Sequence, residues 1–228
     1  MDANSQTTCW TLIDQAAGGD RDMRGEFSTK YYSVVQKYLS ARWGRSRFAS
    51  FVDDACQEVF VECFRSGGPL ERAERGRPGG FRGFLYGVVR NVARRVEQRQ
   101  YIRMPGTGGE DVLNNVGTDE SSLSQVFDRA WAQAIMKEAG DRQAVRAAQA
   151  GPDAARRIEL LKLRFQDGLP IRDIAVKWNV EAANLHREYS KARKEFLVSL
   201  RQVVFEQNDG VSPSEVDQRC VELIEMLR

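Results

Sequence analysis

The chain has little of what most enzymes and secreted proteins are built around. It carries one histidine, His186, in 228 residues, too few for a histidine relay or a histidine-rich metal centre. The four cysteines, Cys9, Cys56, Cys63 and Cys220, form no CxxC pair, so the usual zinc and dithiol signatures are missing. No apolar run is long enough to cross a bilayer, and nothing at the N-terminus resembles a signal peptide. A cytoplasmic chain with reduced thiols and no membrane insertion is therefore expected. Strand-like alternation is nearly absent. No Ser/His pair and no phosphate-cradling loop after a strand is present. Gly106-Thr107-Gly108-Gly109 neither follows a strand nor opens a convincing helix. The expectation is a protein that is not an enzyme and needs no cofactor and no metal.

What is present is helical periodicity and uneven charge. The net charge of +2 averages over opposed blocks. Between Glu71 and Arg103 nine arginines face three glutamates, and between Asn184 and Arg201 five Lys/Arg face two glutamates. Phe51–Phe64 has Asp53, Asp54, Glu58 and Glu62 with no basic residue. Such blocks point to more than one kind of partner, one of them nucleic acid.

Val52, Ala55, Cys56, Val59, Phe60, Cys63 and Phe64 trace one apolar helix face, which makes Cys56 and Cys63 core residues. The other face carries Asp53, Asp54, Gln57, Glu58 and Glu62, and Ser66-Gly67-Gly68-Pro69 stops the helix. Phe81, Phe84, Leu85, Val88, Val89, Val92, Ala93 and Val96 form a second stripe, opposite Arg82, Tyr86, Arg90, Asn91, Arg94 and Arg95. Phe27, Tyr31, Val34, Val35, Tyr38 and Leu39 predict a third helix, and a weaker one is expected near Leu12–Ala17. Residues 103–125 read as a flexible acidic linker. Helical signal returns over Val126–Ala139 and then fades through a Gln/Ala/Arg stretch to Pro152. The last third reads as helix, helix, tight turn, helix: Arg157–Gln166, a short helix with Ile171, Ile174, Ala175 and Trp178, and a long one with Leu185, Tyr189, Ala192, Phe196 and Leu200 inward. Asn179 stands where the turn needs a left-handed residue. This is helix-turn-helix spacing. Ser212-Pro213-Ser214-Glu215 opens a final short helix.

Three surfaces could carry function. Arginines interleaved with tyrosines on the second stripe's far side suit backbone phosphates and unstacked bases. Asn184, His186, Arg187, Glu188, Lys191 and Lys194 lie on the exposed face of the long helix, where a helix-turn-helix reads base edges. The carboxylates around Asp53 lack catalytic companions and suit a docking surface or a solvated face.

In order and spacing these segments resemble the extracytoplasmic-function sigma factors of bacterial RNA polymerase. Asp53-Asp54-Ala55-Cys56-Gln57-Glu58-Val59-Phe60 is similar to the family's region 2.2, and Phe81 to Arg95 to its regions 2.3 and 2.4. Leu169 to Ala175, with Val180 and Lys191-Ala192-Arg193, resembles region 4. Trp10 to Ile13 with Gly19-Asp20, and Phe127 to Trp131, look like one branch of the family. The resemblance implies an all-α protein: a region 2 bundle at 1–102, a linker at 103–125 and a region 4 domain at 126–204. The helical tail at 205–228 has no assigned role there, and packing on the C-terminal domain is expected ahead of a regulatory helix. The resemblance also implies that Asp53, Asp54, Gln57, Glu58 and Glu62 dock on the clamp helices of polymerase β′, and that region 4 touches the β flap. It assigns the −10 promoter element to Arg72, Arg75, Arg77, Arg82, Tyr86, Arg90, Asn91, Arg94 and Arg95, with the loop at Arg72–Arg77 holding an unstacked base. Asn184, His186, Arg187, Glu188, Lys191 and Lys194 would meet the −35 element, and an anti-sigma factor is a further expected partner. Three positions depart from the pattern: Arg95 replaces a common Asp, Asn179 the usual turn Gly, and Ala183-Asn184 a common Gly-Thr. The other reading of the residues is a free-standing helix-turn-helix regulator, which leaves the acidic helix and the Arg/Tyr face unexplained.

Overall fold

A computed structural model describes residues 9–44, 46–76, 79–103, 119–208 and 210–227. Among these residues there are nine α-helices, two single 3-10 turns and no strand, the all-α class expected. The helices are α1 (Cys9–Ala17), α2 (Arg21–Trp43), α3 (Val52–Phe64), α4 (Gly80–Arg103), α5 (Glu120–Ala150), α6 (Pro152–Phe165), α7 (Ile171–Trp178), α8 (Ala182–Gln207) and α9 (Pro213–Glu225). They divide into two compact units: Met1–Ala134 with Glu206–Ser212 and Val221–Arg228, and Ile135–Phe205 with Pro213–Cys220.

In the first unit, α1 ends at Gly18-Gly19, where Gly19 takes φ 99°, a conformation that favours glycine. Asp20 then caps α2, its carboxylate accepting from the backbone N–H of Asp22 at 2.9 Å and Met23 at 3.1 Å. The α3 stripe is buried at Ala55, Cys56, Val59, Phe60 and Cys63, and all eight apolar residues named on α4 are buried. Aromatic rings fill the centre. Phe27 meets Tyr31, Phe60, Phe64 and Phe81 edge-on, and Trp131 stacks on Tyr31 at 5.4 Å.

Helix α5 differs from the sequence reading at both ends. It begins at Glu120 rather than near Val126 and runs unbroken to Ala150. The early start has a physical reason: Leu123 and Phe127 are fully buried in the first unit, so a stretch that reads as polar linker supplies core. The long continuation rests on strong helix formers and on the i,i+4 pairs Lys137–Asp141 and Glu138–Arg142. The remainder of the expected linker, 104–118, lies outside the described residues, as does Gly106–Gly109.

In the second unit, Pro152 occupies the first turn of α6. Leu160 and Leu163 of α6, Ile171, Ile174 and Ala175 of α7, and Leu185 of α8 close one core, flanked by Trp178 and Tyr189. Asn179 adopts φ 51° and ψ 51°, so the α7–α8 turn is the left-handed one its sequence asked for. Gln143, almost fully buried on α5, donates to the Ala192 carbonyl of α8 at 3.0 Å. In the tail, Val216 and Cys220 are buried and Asp217 accepts two hydrogen bonds from Arg201 at 2.5 and 2.9 Å. No helix of the described residues is long and apolar enough to cross a membrane.

Candidate nucleic-acid and partner interfaces

The arginines of α4 do not share one face. Arg82, Tyr86, Arg90 and Arg94 recur every four residues and meet the first half of α5. Arg82 pairs with Asp128. Tyr86 donates to Glu120 Oε2 at 3.1 Å, Arg90 Nε to Glu120 Oε1 at 3.2 Å, and Arg94 lies 3.5 Å from Glu120 Oε1. Arg95 and Arg99 turn instead to α3: Arg95 reaches Glu58 and Glu62, each at 3.2 Å, and Arg99 also bonds Glu58. Asn91 is exposed between the two rows. The single Arg/Tyr face expected from the sequence is thus corrected to two rows. A helix turns 100° per residue, so positions 94 and 95 cannot look the same way.

Arg42 was missed, although a charged residue on the apolar stripe of α2 is itself a signal. It is buried, with Nε and Nη2 on the Glu97 carboxylate at 2.7 and 3.0 Å. Trp43 Nε1 donates to the same carboxylate at 2.7 Å. Nη1 of Arg42 faces Tyr38 at 3.3 Å and Glu120 at 3.4 Å. Burial works to lower the Arg42 pKa, but the hydrogen bond and charge of Glu97 outweigh it and raise it. Burial likewise works to raise the Glu120 pKa, yet Tyr86, Arg90 and Arg42 together hold it below the ordinary value. Tyr86 is pushed up to about 12, first by burial and then by Tyr38 and Glu120.

In the loop before α4, Arg72 is exposed, while Arg75 bonds Asp14 at 2.7 Å and lies over the Trp10 ring. Arg77 lies outside the described residues.

The acidic face of α3 also divides. Asp53, Asp54 and Gln57 are exposed, with Tyr32 donating to Asp53 at 3.4 Å. Glu58 and Glu62 are half-buried against Arg95 and Arg99, so their charge is spent within the unit. Val61, 68% exposed, continues the Asp54 and Gln57 row by helical spacing and adds an apolar foot to the patch. The sequence reading left it out because it lies off the apolar stripe.

On α8, Asn184, His186, Arg187, Lys191 and Lys194 are exposed. Glu188 is only half-exposed: it accepts from Lys191 at 2.7 Å and from Arg157 at 3.2 Å. The Lys191 bond, ahead of Arg157 and against partial burial, lowers its pKa. Arg157 also holds Glu195 at 3.0 Å, so this guanidinium on α6 pins two turns of α8. Beside it Arg156 lies 4.7 Å over the Trp178 ring, a cation next to the helix-turn-helix that the sequence reading did not single out. A shallow notch of ≈ 300 Å³ separates these residues from Asn184 and Lys191.

No cluster of three or more His, Cys, Asp or Glu among the described residues is placed to hold a metal ion. No family model matches the chain, and neither does any curated protein or solved structure.

Proposed function

We propose that the chain is a promoter-recognition subunit of bacterial RNA polymerase, of the extracytoplasmic-function sigma type, and that it catalyses no reaction of its own. The observation that carries the reading is the α7–α8 pair: a three-residue turn with a left-handed Asn179, followed by a helix whose first turns expose Asn184, His186 and Arg187. Such a helix can enter a major groove, where Asn pairs with adenine and Arg with guanine. Lys191 and Lys194, further along, suit phosphates. In this reading the Arg82, Tyr86, Arg90 and Arg94 row of α4 engages the −10 element, and Asp53, Asp54 and Gln57, with Val61, dock on core polymerase. Glu58 and Glu62 then support the docking helix through Arg95 and Arg99 rather than touching the partner.

The test is a pull-down of bacterial core polymerase by the full chain, comparing wild type with the double variant Asp54→Ala and Gln57→Ala. Both residues are exposed, so their loss leaves the fold in place. Core binding by wild type that the double variant weakens about ten-fold or more, the loss of one or two interface anchors, supports the reading. No binding by wild type, together with tight binding of duplex DNA by the chain alone, replaces it with a free-standing helix-turn-helix regulator.

A further inference from the structure

Glu120 is an unusual occupant. Its carboxylate is surrounded by four donors at 3.1–3.5 Å, Tyr86, Arg90, Arg94 and Arg42, while its side chain stays 41% exposed. Charge-assisted hydrogen bonds normally close to 2.7–2.9 Å, as Arg42 does on Glu97 at 2.7 Å. One carboxylate is shared by four donors that stand on two helices, and none of the four contacts closes to that length. The charges are unequal as well: three guanidinium groups meet Glu97 and Glu120, leaving one positive charge over. Without Glu120 the excess is two.

A phosphodiester carries the same single charge on two non-bridging oxygens set somewhat wider apart than those of a carboxylate, so it fits the same guanidinium and hydroxyl donors. A second carboxylate repeats the arrangement. Asp128 stands eight residues beyond Glu120 on α5 and pairs with Arg82, eight residues before Arg90 on α4. Eight residues of helix span about 12 Å, so α5 presents two anions along a row of cations, as a nucleic-acid strand would. Leu123, Phe127 and Trp131 anchor this half of α5 in the core, so a swing of the Glu120 side chain, rather than loss of the helix, is enough to clear the site.

We propose that Arg42, Arg90, Arg94 and Tyr86 form a binding site for a backbone phosphate of single-stranded DNA, and that the Glu120 carboxylate occupies it as an internal competitor. The site rests on the reading of α4 as a DNA-binding helix and adds Arg42 and the competitor to it. Glu120 makes the free chain a weak binder of single strands.

Fluorescence anisotropy with a fluorescein-labelled single-stranded 12-mer and the full chain tests this. Glu120→Gln keeps a hydrogen-bonding side chain and removes the competing charge; it is expected to tighten binding roughly three- to five-fold, the worth of a partly exposed ion pair. Adding Arg90→Ala to Glu120→Gln is expected to abolish the gain. A cooperative thermal melt checks that each variant folds, and Glu120→Ala, which also removes the competing charge, replaces Glu120→Gln if that one does not. Equal affinity of wild type and Glu120→Gln overturns the competitor, and a gain that survives Arg90→Ala overturns the site. A core polymerase pull-down on the same samples keeps the two readings apart. Core binding without the anisotropy gain leaves the sigma assignment standing and removes this site. The gain without core binding leaves the phosphate site standing on a different kind of DNA-binding protein.

Discussion

Arg42, Glu97 and Trp43 show how one buried carboxylate can be indispensable once its partners are in place. Glu97 accepts from Arg42 at 2.7 and 3.0 Å and from Trp43 at 2.7 Å, and both members of the ion pair are nearly buried. Removing one member strands a desolvated charge, which costs about 3–5 kcal/mol, whereas replacing both by apolar groups of similar volume is often near neutral. Glu97→Ala is therefore expected to lower the unfolding free energy in urea by about 3 kcal/mol or more, and the Arg42→Met, Glu97→Leu double variant by much less. If both variants lose the same amount, the stranded Arg42 charge is not what Glu97→Ala costs, and the hydrogen bonds that Glu97 accepts, the one from Trp43 among them, carry the loss. Composition alone does not show this pair, because the two residues are 55 apart in sequence; the place of Arg42 on the apolar stripe of α2 marks it, but nothing in the sequence names Glu97 as its partner.

Helices were legible wherever one apolar face met one polar face. The stripe from Val52 to Phe64 marks α3 to the residue, and the stripe from Phe81 to Val96 is buried throughout. The start of α5 was not legible, since Glu120, Ser121 and Ser122 carry linker composition and only Leu123 and Phe127 reveal packing, which periodicity over so few residues cannot detect. The candidate site was legible in residue type but not in pairing: the arginines of α4 were found, and the carboxylates that hold them on α3 and α5 were not assigned. The turn between α7 and α8 was legible in full, from a single asparagine. A side chain with a Cβ pays about 1 kcal/mol in the left-handed region unless it is Asn or Asp, and glycine pays none of it. Asn179→Ala is thus expected to destabilise the second unit by about 1 kcal/mol, and Asn179→Gly to leave it unchanged or firmer. Thermal melts of the two variants decide it, and equal losses would mean that the Asn179 side chain, not its backbone, holds the turn.

Across the whole molecule, the titrating groups set opposite limits on stability. Glu120 and Glu188 have folded pKa values below the ordinary 4.5. As pH falls, the unfolded chain takes up their protons first, so their contribution is complete above about pH 5 and is lost as pH drops through the folded values. The thiols act from the other side. Burial, with help from Asp53 and Glu62 respectively, pushes Cys56 and Cys63 from 9.0 up to about 12, and none of the four buried cysteines is in a disulfide. Above pH 9 the unfolded chain releases these protons while the folded chain keeps them, so stability declines as pH rises from about 9 towards 12. Alanine at both positions costs packing at every pH but removes that alkaline slope. Urea midpoints at about pH 8 and pH 10 should therefore fall more steeply for wild type than for the Cys56→Ala, Cys63→Ala variant. Parallel declines would assign the alkaline limb to other groups, Tyr86 first among them because burial and Glu120 raise it in the same direction.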